Sequence, residues 1–198
     1  MGVTRRDRSR GNRPRRDPLS RERIVAATLA LVEREGAGAL TMRAVGAELG
    51  VEAMSLYHYF PDKGALVDGA VQALAEEIEI PAVGSVPWEE ASRAIVRAFR
   101  DVSRRFPNAS QLLLVRERPA DEAVIRSQGA LDHLLSAGFG ETTARYAYRA
   151  LSAYAWGSLV EDRRARSPFT TGDRDEEFEF GLDALIAGLD RLRGPRRR

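Results

Sequence analysis

Apolar positions along this chain recur at intervals of three and four and nowhere alternate as in a strand, so the pattern predicts helices throughout. Ser20 can cap a first helix reaching Glu35. Its Ile24, Val25, Thr28, Leu29, Leu31 and Val32 form a wide stripe, and Gly36 ends it. Thr41 can cap a short second helix with Met42, Val45 and Leu49 inward and Gly50 as the stop. A third runs from about Glu52 to Tyr59, closed by Pro61. Asp62 then caps a fourth, where Leu66, Ala70, Leu74 and Ile78 recur every four residues as far as Pro81.

A Pro/Gly/Ser stretch from Pro81 to Pro87 separates these elements from the rest. Pro87 suits the first turn of a helix carrying Trp88, Ile95, Phe99 and Val102 and ended by Pro107. Shorter helices are predicted around Ser110–Arg116 and Ala120–Ala137, then two long ones over Glu141–Arg164 and Asp175–Arg193, on either side of a turn-rich segment. The fold class is all-α.

Composition narrows the chemistry. The 198 residues contain no cysteine, which removes disulfides, cysteine-ligated zinc and thiol catalysis. No apolar run approaches the ~20 residues of a membrane span and no signal peptide is visible, so a soluble cytoplasmic protein is expected. Gly-rich phosphate loops, a Gly-x-Ser-x-Gly turn and paired histidines are absent, and the acidic residues scatter over helix surfaces, so an enzyme is not expected. His133 has no second histidine at metal spacing and reads as a core or surface residue; no metal or cofactor site is expected.

The net charge of +2 conceals a segregation. Residues 1–18 hold seven arginines against two aspartates, residues 191–198 hold five arginines and no acid, and the body between carries a net −8. Residues 1–18 have too little apolar content to fold alone and read as a disordered arm; 194–198 form a basic tail. A negative globule between cationic tails restricts any nucleic-acid contact to local features.

One segment has the parts for such a contact. From Thr41 to Phe60, Val45, Leu49, Val51 and Leu56 can pack two short helices around a Gly-containing turn. Ser55, Tyr57, His58 and Tyr59 would then project from the second helix. Lys63 opens the next helix, beside backbone N–H groups able to hold a phosphate. At Gly36, Leu40-Thr41-Met42-Arg43, Ala47, Leu49-Gly50-Val51, Leu56-Tyr57-His58-Tyr59-Phe60, Lys63 and Leu66 the chain resembles the tetracycline-repressor (TetR) family of bacterial transcription regulators. A weaker likeness continues through Trp88, Ala98-Phe99-Arg100, Gly138-Phe139, Leu159-Val160-Glu161-Asp162 and the terminal Phe180-Gly181-Leu182 with Gly188-Leu189.

The resemblance implies a helix-turn-helix DNA-binding domain at 19–65 and a ligand-binding and dimerisation domain at 66–193. It implies a homodimer that binds a palindromic operator and is released by a small molecule. Carried over by position, Thr41 and Arg43 open the first DNA-facing helix, Ala53, Met54, Ser55, Tyr57, His58 and Tyr59 line the recognition helix, and Lys63 meets the backbone. Arg43 suits bidentate guanine readout, while Ala53 and Met54 offer only apolar contact, as to a thymine methyl. Arg43 and Lys63 would also serve as plain solvated charges, and the arginine arm as a tail without a partner.

Tyr146, Ala150, Ala153, Gly157 and Val160 form one heptad-like seam on the last two helices, and Phe178, Leu182, Leu185, Leu189 and Leu192 another, while the small residues Gly181, Ala184 and Gly188 follow a second stripe on the last helix. The family builds its dimer interface there; the alternative is that both seams face the intramolecular core. Trp88, Phe99, Leu113, Tyr148, Tyr154 and Trp156 are candidates to line the effector pocket. Drug-binding members of the family hold a magnesium chelate through histidine, and an ungapped alignment places Leu113 and Glu79 at their histidine positions, so a metal-free apolar or aromatic effector is expected. The competing class is a helical architectural dimer that binds DNA through its tails without sequence preference.

Overall fold

The computed structural model describes residues 18–115, 121–163 and 173–193, and the described residues contain helices and no strand. The arginine arm, the basic tail and most of the turn-rich segment before the last helix lie outside them. Helix α1 spans Arg21–Glu35, α2 Met42–Leu49, α3 Ala53–Tyr57 and α4 Lys63–Glu76. They are followed by α5 Trp88–Arg105, α6 Leu112–Val115, α7 Asp121–Ser136, α8 Glu141–Arg163 and α9 Arg174–Leu192.

Local chemistry sets the boundaries. Ser20, Thr41 and Asp62 each accept a bond from the backbone N–H three residues on, at 3.2, 3.1 and 2.8 Å. Each such cap is worth ~1 kcal/mol against alanine. Gly50 ends α2 in the left-handed region, at φ 66°. Two elements are shorter than the sequence pattern predicts. Helix α3 stops at Tyr57, and α4 stops at Glu76, so that Ile78 and Ile80 pack as side chains of an irregular strap rather than as a further helical turn. The segment before α6 opens as a 3-10 turn at Ala109–Gln111.

Two apolar cores result. The first gathers Ile24, Val32, Leu40, Val45, Leu56, Phe60, Leu66 and Leu74, and it also takes in Val102, Ala109 and Leu112 from beyond the Pro81–Pro87 stretch. The second joins α5, α7, α8 and α9 through Trp88, Leu134, Phe139, Leu151, Phe178, Leu182 and Ile186. Helix α4 packs on α7, and α5 packs along α8.

A polar joint ties α1 to the segment beyond α5 that completes the first core. The Glu33 carboxylate on α1 accepts the backbone N–H of Asn108 at 3.0 Å and that of Ala109 at 3.1 Å, and the Asn108 side-chain amide donates to the Glu33 carbonyl at 2.8 Å. Those N–H groups open the turn that leads into α6.

Candidate functional site

The outward face of α2 and α3 is set by what lies beneath it. Leu56 and Phe60 are fully buried, so residues on the opposite side of α3 are forced out: Met54 is 71% exposed and Tyr57 46%. Close approach of the two helices depends on Gly46, where a Cβ would sit 2.9 Å from the Val51 carbonyl and 3.2 Å from the Ala53 nitrogen. Thr41, Arg43, His58 and Lys63 are exposed on the same unit, while Ala53 and Ser55 are half-buried. Arg34, by contrast, is paired to Glu48 at 2.8 Å, which holds that carboxyl below its ordinary pKa.

Tyr59 is placed differently from its neighbours. Its hydroxyl donates to the Leu19 carbonyl at 2.7 Å, Arg21 donates to the Tyr59 carbonyl, and the Arg21 guanidinium lies 4.2 Å from the centre of the Phe60 ring. Tyr59 therefore ties the start of α1 to the end of α3, and its hydroxyl is turned away from the outward face. The sequence signal for this stitch is faint, because it joins residues forty apart.

A cavity of about 170 Å³ opens between α4, α5, α6, α7 and α8. Phe99, Leu113, Tyr148 and Trp156 line it, with Phe99 and Trp156 edge to face at 4.6 Å. Trp88 and Tyr154 do not. Trp88 is buried against Phe139 at 4.9 Å. Tyr154 turns to α9, where its hydroxyl donates to the Phe178 carbonyl at 2.7 Å. The reason is angular: Tyr154 is two residues from Trp156, about 200° round the helix, so both cannot share a face. A Cβ at Gly181 would lie 2.5 Å from the Tyr154 hydroxyl, so the small residue admits the ring. Pattern reading missed Ala75 on α4, Ile78 and Ile80 on the strap beyond it, and also Ser92 and Ser152.

On α8, Tyr146 is 68% exposed, Ala153, Gly157 and Val160 are exposed, and Ala150 is half-buried. The seam expected on α9 needs correction: Phe178, Leu182 and Leu189 are buried in the chain's own core, and Leu185 packs against it. Helix α9 carries a second apolar stripe, and that one faces out, through Phe180 (77% exposed), Ala184, Gly188 and Leu192. His133 is buried, with its Nε2 2.8 Å from the Pro81 carbonyl.

Arg100 binds the ends of three helices together. It is 5% exposed, pairs with Asp162 at 3.2 Å and Asp175 at 3.1 Å, donates to the Arg174 carbonyl and lies over the Phe178 ring. Arg104 joins the same two carboxylates at 2.9 and 2.6 Å. Burial raises the Asp162 pKa, but the bonds from Arg104 and Arg100 outweigh it and hold the carboxyl below its ordinary value.

Comparison with known proteins agrees with this architecture. The sequence pattern of the tetR family of bacterial regulatory proteins matches residues 24–70. An HTH-type transcriptional regulator of Saccharopolyspora erythraea is 28% identical over 86% of this chain and 84% of its own length. A variant of TetR from Acinetobacter baumannii AYE, solved in complex with minocycline, is 30% identical over 90% of this chain and all of that one, with a TM-score of 0.75. BioQ of Mycobacterium smegmatis, solved with its double-stranded DNA operator, shares the fold over 88% of this chain and 99% of that one, at 22% identity and a TM-score of 0.72.

Proposed function

This chain belongs to the TetR family of bacterial regulatory proteins, DNA-binding regulators and not enzymes, and on that premise we propose a cytoplasmic repressor. It binds a palindromic operator as a homodimer and is released when a small apolar or aromatic molecule enters the cavity. The observation that carries this reading is the outward face of α2 and α3. Thr41, Arg43, Met54, Tyr57, His58 and Lys63 stand exposed over a fully buried Leu56 and Phe60. Arg43, His58 and Lys63 make no ion pair among the described residues and keep their donors for bases and phosphates. Ala53 and Ser55 sit at the margin of this surface, and Tyr59 supports it from behind.

Two further features support the assembly. The outward stripes of α8 and α9 offer apolar surface that a second copy would cover, and a dimer is what brings two reading helices ~34 Å apart, one turn of DNA. Leu19 is held against Tyr59, so the arginine arm joins the chain beside α3. Residues 19–63 carry a net −1 and 1–63 a net +4, so the arm supplies much of the attraction for phosphates.

That same charge balance favours the second reading, non-specific binding through the tails. A selection of genomic fragments at about 0.15 M salt, where the Debye length is ~8 Å, separates the two. One palindromic site should be enriched, and an Arg43→Ala, Tyr57→Ala double variant should lose it. Uniform recovery that the double variant leaves unchanged sinks the repressor reading and leaves the architectural one.

A further inference from the structure

The cavity is polarised along its length, and that polarity specifies a ligand. Helices α5 and α8 run side by side in the same direction. Trp88 and Phe139 meet at their beginnings, while Phe99 meets Trp156, and Arg100 meets Asp162, further along both. Seven residues separate Ser92 from Phe99 and eight separate Tyr148 from Trp156, about 10 and 12 Å of helix. The aromatic pair thus marks one end of the cavity, Ser92 and Tyr148 the other, and Ser152 lies between on α8.

Ser92 is 95% buried, and neither its hydroxyl nor that of Ser152 makes a hydrogen bond among the described residues. Ser158, on the same helix as Ser152, donates instead to the Ala155 carbonyl at 2.7 Å. These two hydroxyls, in a described lining that is otherwise apolar apart from Tyr148, are left for something that enters it. Among the described residues, no charged side chain lines the cavity. Arg100, next to Phe99, is turned to Asp162, Asp175 and Phe178, and His133 is held by the Pro81 carbonyl. A carboxylate or ammonium entering here would be desolvated without a charged partner among the described lining residues. In size, about 170 Å³ compares with the ~150 Å³ apolar cavity that accepts benzene.

We propose that the effector is a neutral, flat aromatic molecule of one or two rings with a hydroxyl or carbonyl at one end. Its rings lie toward Phe99 and Trp156, and its oxygen is read by Ser92 and Ser152. This rests on the effector reading given above and narrows it to a ligand class.

The test is isothermal titration of the full chain at pH 7 with three probes of one shape: naphthalene, 2-naphthol and naphthalene-2-carboxylate. The naphthol should bind at least ~10-fold more tightly than the carboxylate, which cannot be buried unpaired. Ser92→Ala and Ser152→Ala, singly and together, should weaken naphthol binding, ~5-fold for one hydroxyl and ~30-fold for both. They should leave naphthalene binding unchanged or stronger. The single variants keep the question answerable if the double one does not fold.

Equal affinity for the carboxylate, naphthol binding indifferent to both serines, or no binding by a chain that melts cooperatively each overturns the proposal. Operator selection is scored separately. A chain that enriches an operator but ignores naphthol loses only this inference. One that binds naphthol in the expected pattern but selects no DNA site loses the repressor reading instead.

Discussion

Asp162 shows how one carboxylate can organise three helices. It accepts from Arg100 and Arg104 on α5 at the end of α8, and Asp175 closes the same cluster at the start of α9. Replacing it by asparagine leaves the buried Arg100 with only part of its counter-charge, so Asp162→Asn should cost about 2–3 kcal/mol in urea unfolding at neutral pH. Because the folded-state pKa of Asp162 is depressed, its contribution is present above the unfolded carboxylate value of ~3.9 and disappears as pH falls through the lower folded value. The variant and the parent should converge in stability as the medium becomes strongly acid; a constant gap down to pH 2 would contradict this. Such a cluster is hard to read from sequence, since its ion pairs join residues 58 to 75 positions apart. Trp88 and Tyr154 teach the same lesson. Aromatic character marks them as interior, but only their angle on the helix says which interior.

Elements were more legible than individual contacts, because the groups that start and stop a helix are local. Ser20, Thr41, Asp62, Gly36 and Gly50 stand within four residues of what they cap, and each sits at the boundary that its chemistry predicts. Helix α9 carries two apolar stripes, and spacing alone does not say which of them fills the chain's own core. The bulkier one, with Leu182 and Ile186, fills the chain's own core, and the one with Ala184 and Gly188 is left outside. The short helix pair depends on a feature visible only in three dimensions. Gly46→Ala would place a methyl 2.9 Å from the Val51 carbonyl and push α3 away from α2. A loss of about 1–3 kcal/mol is expected, as for other overpacked contacts, together with weaker operator binding. The substitution should lower the thermal midpoint; an unchanged midpoint with full DNA affinity would show that the pair tolerates separation.

At the scale of the whole molecule, the outward stripes of α8 and α9 argue for two copies. Phe180→Asp places a charge on that apolar surface, and sedimentation should then report a monomer that still melts cooperatively. A dimer indifferent to the change would locate the interface elsewhere. The arm is a separate matter of long-range charge: deleting residues 2–17 removes seven arginines, and the slope of log affinity against log salt should flatten accordingly. An unchanged slope would show that the arm stays away from the DNA. The Glu33 joint bears on how such molecules can be recombined. Val102, Ala109 and Leu112 complete the first core, and Asn108 and Ala109 are held by α1. A chimera cut at the Pro81–Pro87 strap would transplant a reading head without the turn that finishes it. The unit that can be exchanged between relatives is therefore discontinuous in the chain, residues 18–80 together with 102–112, and Glu33 must find an asparagine-bearing turn in any host.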